Sequence, residues 1–175
     1  MTRKDGATMC TQRDGPGTAP PAQLLQYVGF LLNRSAAQIR ERFTRALEPL
    51  GITPKHYGVL ALLDLAGPLS QHEIGDRVWY DRTTMVSIVD DLERRSLARR
   101  KAFPGDRRAY AVCLTPKGRA LRARAKRVAI RVNQQFLSVL KPRERRQLQT
   151  LLKRLVLQSG APTHSRPATA HKETL

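Results

Sequence analysis

Residues 69–118 read LSQHEIGDRVWYDRTTMVSIVDDLERRSLARRKAFPGDRRAYAVCLTPKG, and this stretch decides the fold. Leu69-Ser70-Gln71-His72-Glu73-Ile74 carries a full capping box. The Ser70 hydroxyl accepts from the Glu73 amide, the Glu73 carboxylate reaches back, and Leu69 packs on Ile74. The helix so started ends near Val78. Asp81 then caps a second helix, Arg82 to Arg95. After Leu97 come Ala98-Arg99-Arg100-Lys101-Ala102-Phe103, a turn at Pro104-Gly105-Asp106-Arg107-Arg108, and Tyr110, Val112 and Leu114 in strict alternation. That pattern predicts a hairpin with one apolar face and a basic tip. Helix, helix and hairpin in this order make a winged helix-turn-helix, a device for reading duplex DNA.

The second helix carries the functional reading. At about 100° per residue, Met85, Ile88, Val89 and Leu92 share one side, and Thr83, Ser87 and Arg94 lie opposite. Its first turns therefore present small hydrogen-bonding side chains outward, as a helix entering the major groove requires. Asp90 and Asp91 follow and would repel phosphate, so only the first two turns are expected in the groove. The bland alternative is the solvated face of an ordinary core helix. The hairpin weighs against it. An Arg at its tip can reach the negative potential of a minor groove, and Asp106 beside Arg107 and Arg108 can brace the turn.

The flanks read as helices. Leu24 to Leu47 has apolar residues at steps of three and four, which predicts one long amphipathic helix ended by Pro49 and Gly51. Thr53-Pro54 starts the next, with Ile52 stapled to Tyr57, and Gly67-Pro68 stops it. Thr115-Pro116 repeats that start signal, and a helix is expected to about Leu140. Pro142 opens a last helix from a poor cap, Lys141. The first, fifth and sixth helices carry more apolar stripe than a winged domain can cover, so a dimer is expected. Residues 1–21 and 159–175 are polar and rich in small residues and Pro, and are expected to be unstructured tails around a folded body at 22–158.

The 175 residues carry 32 Lys and Arg against 14 Asp and Glu, a formal net charge of +18. An excess of that size points to a polyanionic partner. From Lys117 to Arg154 thirteen basic residues stand against one acid, Glu144. The sequence alone does not say whether that stretch adds phosphate contacts. No transmembrane run and no secretory signal are read, so a cytoplasmic protein is expected. The segments ITPKHYGVLALL, GPLSQHEIGDRV, DRTTMVSIVDDLERRSLARR and PGDRRAYAVCLTPKGRAL, with the terminal LQTLLKRL, resemble the MarR family of bacterial transcription regulators over about Leu24 to Leu157.

That resemblance implies a mainly α fold with a small β wing. The DNA-binding lobe would occupy about 52–115, and dimerisation helices about 22–48 and 116–158. It implies a homodimer on a near-palindromic operator, with half-sites about one turn apart. Arg82, Thr83, Thr84 and Ser87 would lie near bases. Ser70 and Gln71 would set a helix N-terminus against phosphate. The family's Asp-x-Arg pattern falls on Asp106 and Arg108, which makes Arg108 the first minor-groove candidate and Arg107 the second. Many members of the family are repressors released by a small aromatic or phenolic ligand. His56 and Tyr57 fall on the helix that often lines the ligand pocket, although core or solvent roles are commoner for such residues. Trp79-Tyr80 replaces a small Gly-Val pair, and such a pair either packs on the body or touches the effector.

Other chemistry is poorly supported. No nucleophile motif, phosphate loop or metal-ligand spacing is present, so neither an enzyme nor a cofactor or metal site is expected. Peroxide-sensing relatives place a cysteine near the start of the first helix. Cys10 falls in the N-terminal tail and Cys113 on the outward side of a wing strand, so a thiol-responsive regulator is the weaker alternative. The serious rival is an architectural protein that coats DNA without sequence choice.

Overall fold

A computed structural model of the chain describes residues 20–103 and 106–158, with the side chains of 103–109 outside the description. The tails expected at 1–21 and 159–175 lie outside the described residues, apart from Pro20 and Pro21. The chain divides into two compact units, residues 1–38 and 39–175, and α1 (Val28–Leu47) runs through the division.

In the first unit the helix expected from Leu24 does not start there. Pro21 carbonyl accepts the Leu24 amide at 2.9 Å in a tight 3-10 segment, Ala22–Gln26. Tyr27 then takes an extended backbone, φ −92° and ψ 115°, and α1 begins only at Val28. Leu24, Leu25, Val28, Leu31 and Leu32 are exposed.

The second unit holds the remaining elements: a 3-10 turn at Glu48–Leu50, α2 (Pro54–Ala66), β1 (Leu69–Ser70), α3 (Gln71–Val78), α4 (Arg82–Arg94), β2 (Ala98–Phe103), β3 (Asp106–Leu114), α5 (Pro116–Phe136) and α6 (Pro142–Gln158). The strands form an antiparallel sheet in the order β1-β3-β2. Leu69 pairs with Val112, and Ala98 with Leu114. The two-residue β1 was not expected. It is too short to show an alternation, and only its pairing with β3 makes it a strand.

The core of the lobe is apolar throughout, with no buried polar residue among those described. Val59 and Leu60 of α2, Ile74 of α3, Met85, Val89 and Leu92 of α4 and Val112 of β3 are fully buried together with Leu47. Met85, Ile88, Val89 and Leu92 are all buried, as their spacing requires. The end of α4 is closed by two bonds. Ser96 N–H donates to Glu93 carbonyl at 2.8 Å, and Leu97 N–H to Leu92 carbonyl at 2.8 Å, with Ser96 in the left-handed region at φ 58°. This is the Schellman pattern, usually built on glycine. Gly118 is needed for another reason: a Cβ there would stand 1.9 Å from the Leu97 carbonyl oxygen, where α5 crosses the start of β2.

A further boundary differs from the expectation. α5 stops at Phe136 rather than Leu140, with Leu137 as its C-cap, the Leu137 N–H still donating to the Asn133 carbonyl at 3.0 Å. Arg145 Nε donates to the Leu140 carbonyl at 2.8 Å. Lys141, unable to cap with its own side chain, has its backbone N–H taken by the Glu144 carboxylate at 2.6 Å. α6 buries none of its residues within the single chain. Among the described residues no helix is long and apolar enough to cross a membrane, and no cluster of metal-ligating side chains occurs.

Candidate nucleic-acid interface

Asp81 fixes the start of α4. Its Oδ1 accepts Thr84 N–H at 2.8 Å and its Oδ2 accepts the Thr84 hydroxyl at 2.6 Å. Those hydrogen bonds from Thr84 hold the Asp81 carboxyl below its ordinary pKa. Thr84 is thus half-buried and spends its hydroxyl on the cap, whereas Arg82, Thr83 and Ser87 are exposed. Val86, 42% exposed, lies between them and was missed in the sequence reading. Its signal was its place one residue from Ser87 on the outward side, where an apolar group suits a thymine methyl.

The α3 N-terminus is equally well closed. Ser70 N–H and hydroxyl both donate to Glu73 Oε2 at 2.8 Å, and Ser70 Oγ accepts Glu73 N–H at 3.2 Å. The hydrogen bond from Ser70 N–H is the main cause that lowers the Glu73 pKa. The Ser70 hydroxyl is therefore engaged inside the cap. Gln71 Oε1 accepts from Arg100 Nε and Nη2, each at 3.3 Å.

Arg100 was not singled out in the sequence and proves central. From β2 it reaches α3 at Gln71 and α4 at both Asp90 and Glu93. Its backbone N–H also donates to Glu93 Oε1 at 2.8 Å. Asp90 and Asp91, expected to repel phosphate, do not stand as bare charges. Asp90 is paired with Arg100, and Asp91 with Arg94, Arg95 and His56. A paired carboxylate presents much less repulsion to a nearby phosphate than a bare one.

An open hollow of about 1020 Å³ runs along the outer face of α4 and brings Arg82, Thr83, Ser87 and Arg94 together with Thr53, Lys55 and His56 at the start of α2. Tyr57 turns away from it, stacking edge-on against Phe43 with ring centroids 5.3 Å apart. Trp79 caps α3 in the left-handed region, φ 57° and ψ 46°, and is 44% exposed. Tyr80 packs against the core, beside Gly58 and with Lys55 Nζ 5.6 Å from its ring centroid. The aromatic pair is therefore split, one ring inward and one outward. The backbone of Asp106, Arg107 and Arg108 lies in β3, while their side chains fall outside the described ones. Cys113 is half-buried in the same strand, and Cys10 lies outside the described residues.

A capped helix with a small polar outer face, tied to a two-stranded wing, is matched in sequence as well as in shape. The sequence profile of the MarR family matches residues 50–109. A putative transcriptional regulatory protein for the hcr operon of Thauera aromatica is 35% identical over 134 residues, 76% of this chain and 81% of that protein. The chain belongs to the MarR family. A solved structure of the transcriptional repressor CouR bound to a 23-mer DNA duplex superposes on this MarR-family protein with a TM-score of 0.72, at 33% identity, covering 77% of this chain and 96% of that one. CouR from Rhodococcus jostii RHA1 bound to p-coumaroyl-CoA gives a TM-score of 0.68 at 28% identity, with 75% and 93% covered. This MarR-family protein is a winged-helix DNA-binding regulator of transcription.

Part of the basic stretch at 117–154 serves the lobe itself. Lys117 Nζ donates to Arg95 carbonyl at 3.0 Å and Arg119 Nη1 to Leu114 carbonyl at 3.3 Å. Arg122 pairs with Asp64 at 3.1 Å. Those three, with Arg145, close helix ends or join elements.

Proposed function

We propose that this protein is a homodimeric repressor that acts in the cytoplasm on a near-palindromic operator and is released by a small aromatic ligand. The observation that carries the operator reading is the first two turns of α4. Arg82, Thr83, Val86 and Ser87 stand exposed there, while Met85, Ile88 and Val89 anchor the helix in the core. Thr83 and Ser87 read base edges, with Thr84 shaping the cap beneath them. Ser70 and Gln71 place the α3 N-terminus against a phosphate. Arg108, and after it Arg107, enters the minor groove, with Asp106 bracing the turn.

The dimer reading rests on α6, which buries nothing in the single chain and leaves Leu151, Leu152 and Val156 exposed. Exposed apolar stripes of this kind are ordinarily covered by a partner, and a second copy covers them in this reading. The ligand reading leans on the relative solved with p-coumaroyl-CoA. An aromatic acid or its thioester is the class proposed. Of His56, Tyr57 and Trp79, only Trp79 offers a large exposed aromatic surface.

The net charge of +18 favours a second reading, an architectural protein that coats DNA without sequence choice. Titration against duplex from the protein's own upstream region, with random duplex as competitor at about 150 mM salt, separates the two. A preference on the order of a thousandfold supports the operator reading. Equal binding to both overturns it.

A further inference from the structure

A ring of polar contacts ties the C-terminal half of α4 to the start of α2. His56 is the third residue of α2, and its Nδ1 accepts the Thr53 backbone N–H at 3.2 Å and lies 2.8 Å from Thr53 Oγ1. A ring nitrogen that accepts an N–H carries no proton, so the hydrogen of the neutral imidazole sits on Nε2. Nε2 lies 3.2 Å from Asp91 Oδ2 on α4 and donates to it. Arg95 closes the ring. Its Nη1 donates to the Gly51 carbonyl at 2.7 Å and to Asp91 Oδ2 at 3.4 Å. Gly51 sits at φ 66°, a left-handed turn in which glycine is unstrained.

We propose that His56 is a positioning residue for the recognition helix α4, and that its protonation weakens operator binding in mild acid. The inference rests on the operator reading above. In the neutral form one imidazole bridges the cap of α2 and a carboxylate of α4, two elements 35 residues apart in sequence by the numbers of His56 and Asp91. Protonation puts a hydrogen on Nδ1, which turns to donate to Thr53 Oγ1 at 2.8 Å and faces the Thr53 backbone N–H donor to donor, so the bond from that N–H is lost. The charged groups around the ring are Asp91, Arg94 and Arg95 from α4 and Lys55 from α2, with Arg82 and Asp90 farther along the same hollow. Burial of the ring, opposed by Asp91 and assisted by Arg95, keeps the His56 pKa below its ordinary value.

The test compares operator affinity at pH 7.5 and 5.5, at fixed salt, for the wild-type protein, His56→Gln and His56→Asn. Gln places an amide nitrogen near Nε2, so it keeps a donor for Asp91 and does not titrate. Asn places an amide oxygen near Nδ1, so it keeps the Thr53 cap and loses Asp91. His72, exposed on α3 and 3.5 Å from Asp76, is present and unchanged in all three proteins. Differences between them therefore belong to His56. Relative to His56→Gln, the wild type is expected to lose roughly three- to tenfold in operator affinity as the His56 ring takes up its proton, the worth of one hydrogen bond. His56→Asn is expected to show a loss of that size already at pH 7.5, with random-duplex affinity unchanged. Parallel pH profiles for wild type and His56→Gln, or wild-type affinity in His56→Asn, overturn the proposal.

A wild type with no operator preference at any pH sinks the operator reading instead. The positioning role is then decided by nuclear magnetic resonance on the free protein. Amide shifts of Asp91 to Arg95 that titrate with the His56 ring in the wild type and not in His56→Gln uphold it. Shifts that ignore the ring overturn it.

Discussion

Arg100 on the wing and Asp90 on the recognition helix are joined by a hydrogen bond of 2.6 Å from Nη2 to Oδ1. The same guanidinium also meets Glu93 and Gln71, so one side chain fixes the angle between wing, α3 and α4. Burial of Arg100 works against its charge, but the hydrogen bonds to Asp90 and Glu93 outweigh that and raise its pKa. Arg100→Ala leaves two half-exposed carboxylates without their cation. A loss of about 1–2 kcal/mol in folding stability is expected, since these are charge-assisted but partly solvated bonds. Urea unfolding reads that loss. Operator affinity should fall further than the stability change explains, because the wing and α4 no longer hold one geometry. A variant with full operator affinity would show that Arg100 does not set the wing.

Ser87→Ala is expected to cost about 1–3 kcal/mol on the operator and little on random duplex. Thr84→Ala should behave differently, because its hydroxyl is bound to Asp81. Its loss should appear in thermal stability, at about 1 kcal/mol for a weakened cap, and equally on both duplexes. Matched losses for the two variants in competition titrations would show that the outer face of α4 does not read bases.

Arg108→Ala should weaken operator binding and reduce its salt dependence. Each phosphate neutralised contributes roughly −0.9 to the slope of log K against log salt. Arg107→Ala should do the same to a smaller degree. An unchanged slope in both variants would remove the wing tip from the interface.

Stability should fall in mild acid through His56. Its folded pKa lies below the ordinary value, which is about 6.5. As pH drops, the unfolded chain takes up its proton first, so stability declines from about pH 6.5 downward until the folded ring also protonates. The contribution is complete above that value and gone below the folded one. The lowered Asp81 and Asp91 add a separate acid-side loss, at carboxylate pH. Urea midpoints against pH should show the upper step in the wild type and not in His56→Gln.

Ser96→Gly should stabilise the protein by roughly 1 kcal/mol, because Ser96 holds φ 58° where glycine is unstrained. Gly118→Ala should do the reverse, by roughly 1–3 kcal/mol, since the new Cβ meets the Leu97 carbonyl. Paired thermal melts check both, and a neutral Gly118→Ala would place the α5–β2 crossing elsewhere.

The local signals of the chain determined its elements. Capping at Ser70, Asp81 and Thr115, the spacing of Met85, Ile88, Val89 and Leu92, and the alternation at Tyr110, Val112 and Leu114 act over a few residues each, so they can be read along the sequence. The outward placement of Thr83 and Ser87 follows from the same periodicity. The tertiary structure alone decided which polar groups are free. Gln71, Asp90, Asp91 and His56 look equally available in a string of letters, yet each has a specific partner on another element. Three of those partners, Arg100 for Gln71, Arg100 for Asp90 and Asp91 for His56, lie ten or more residues away. Charge pairing acts through space at a few ångströms, and nothing in local spacing records which distant segment folding will bring within that reach.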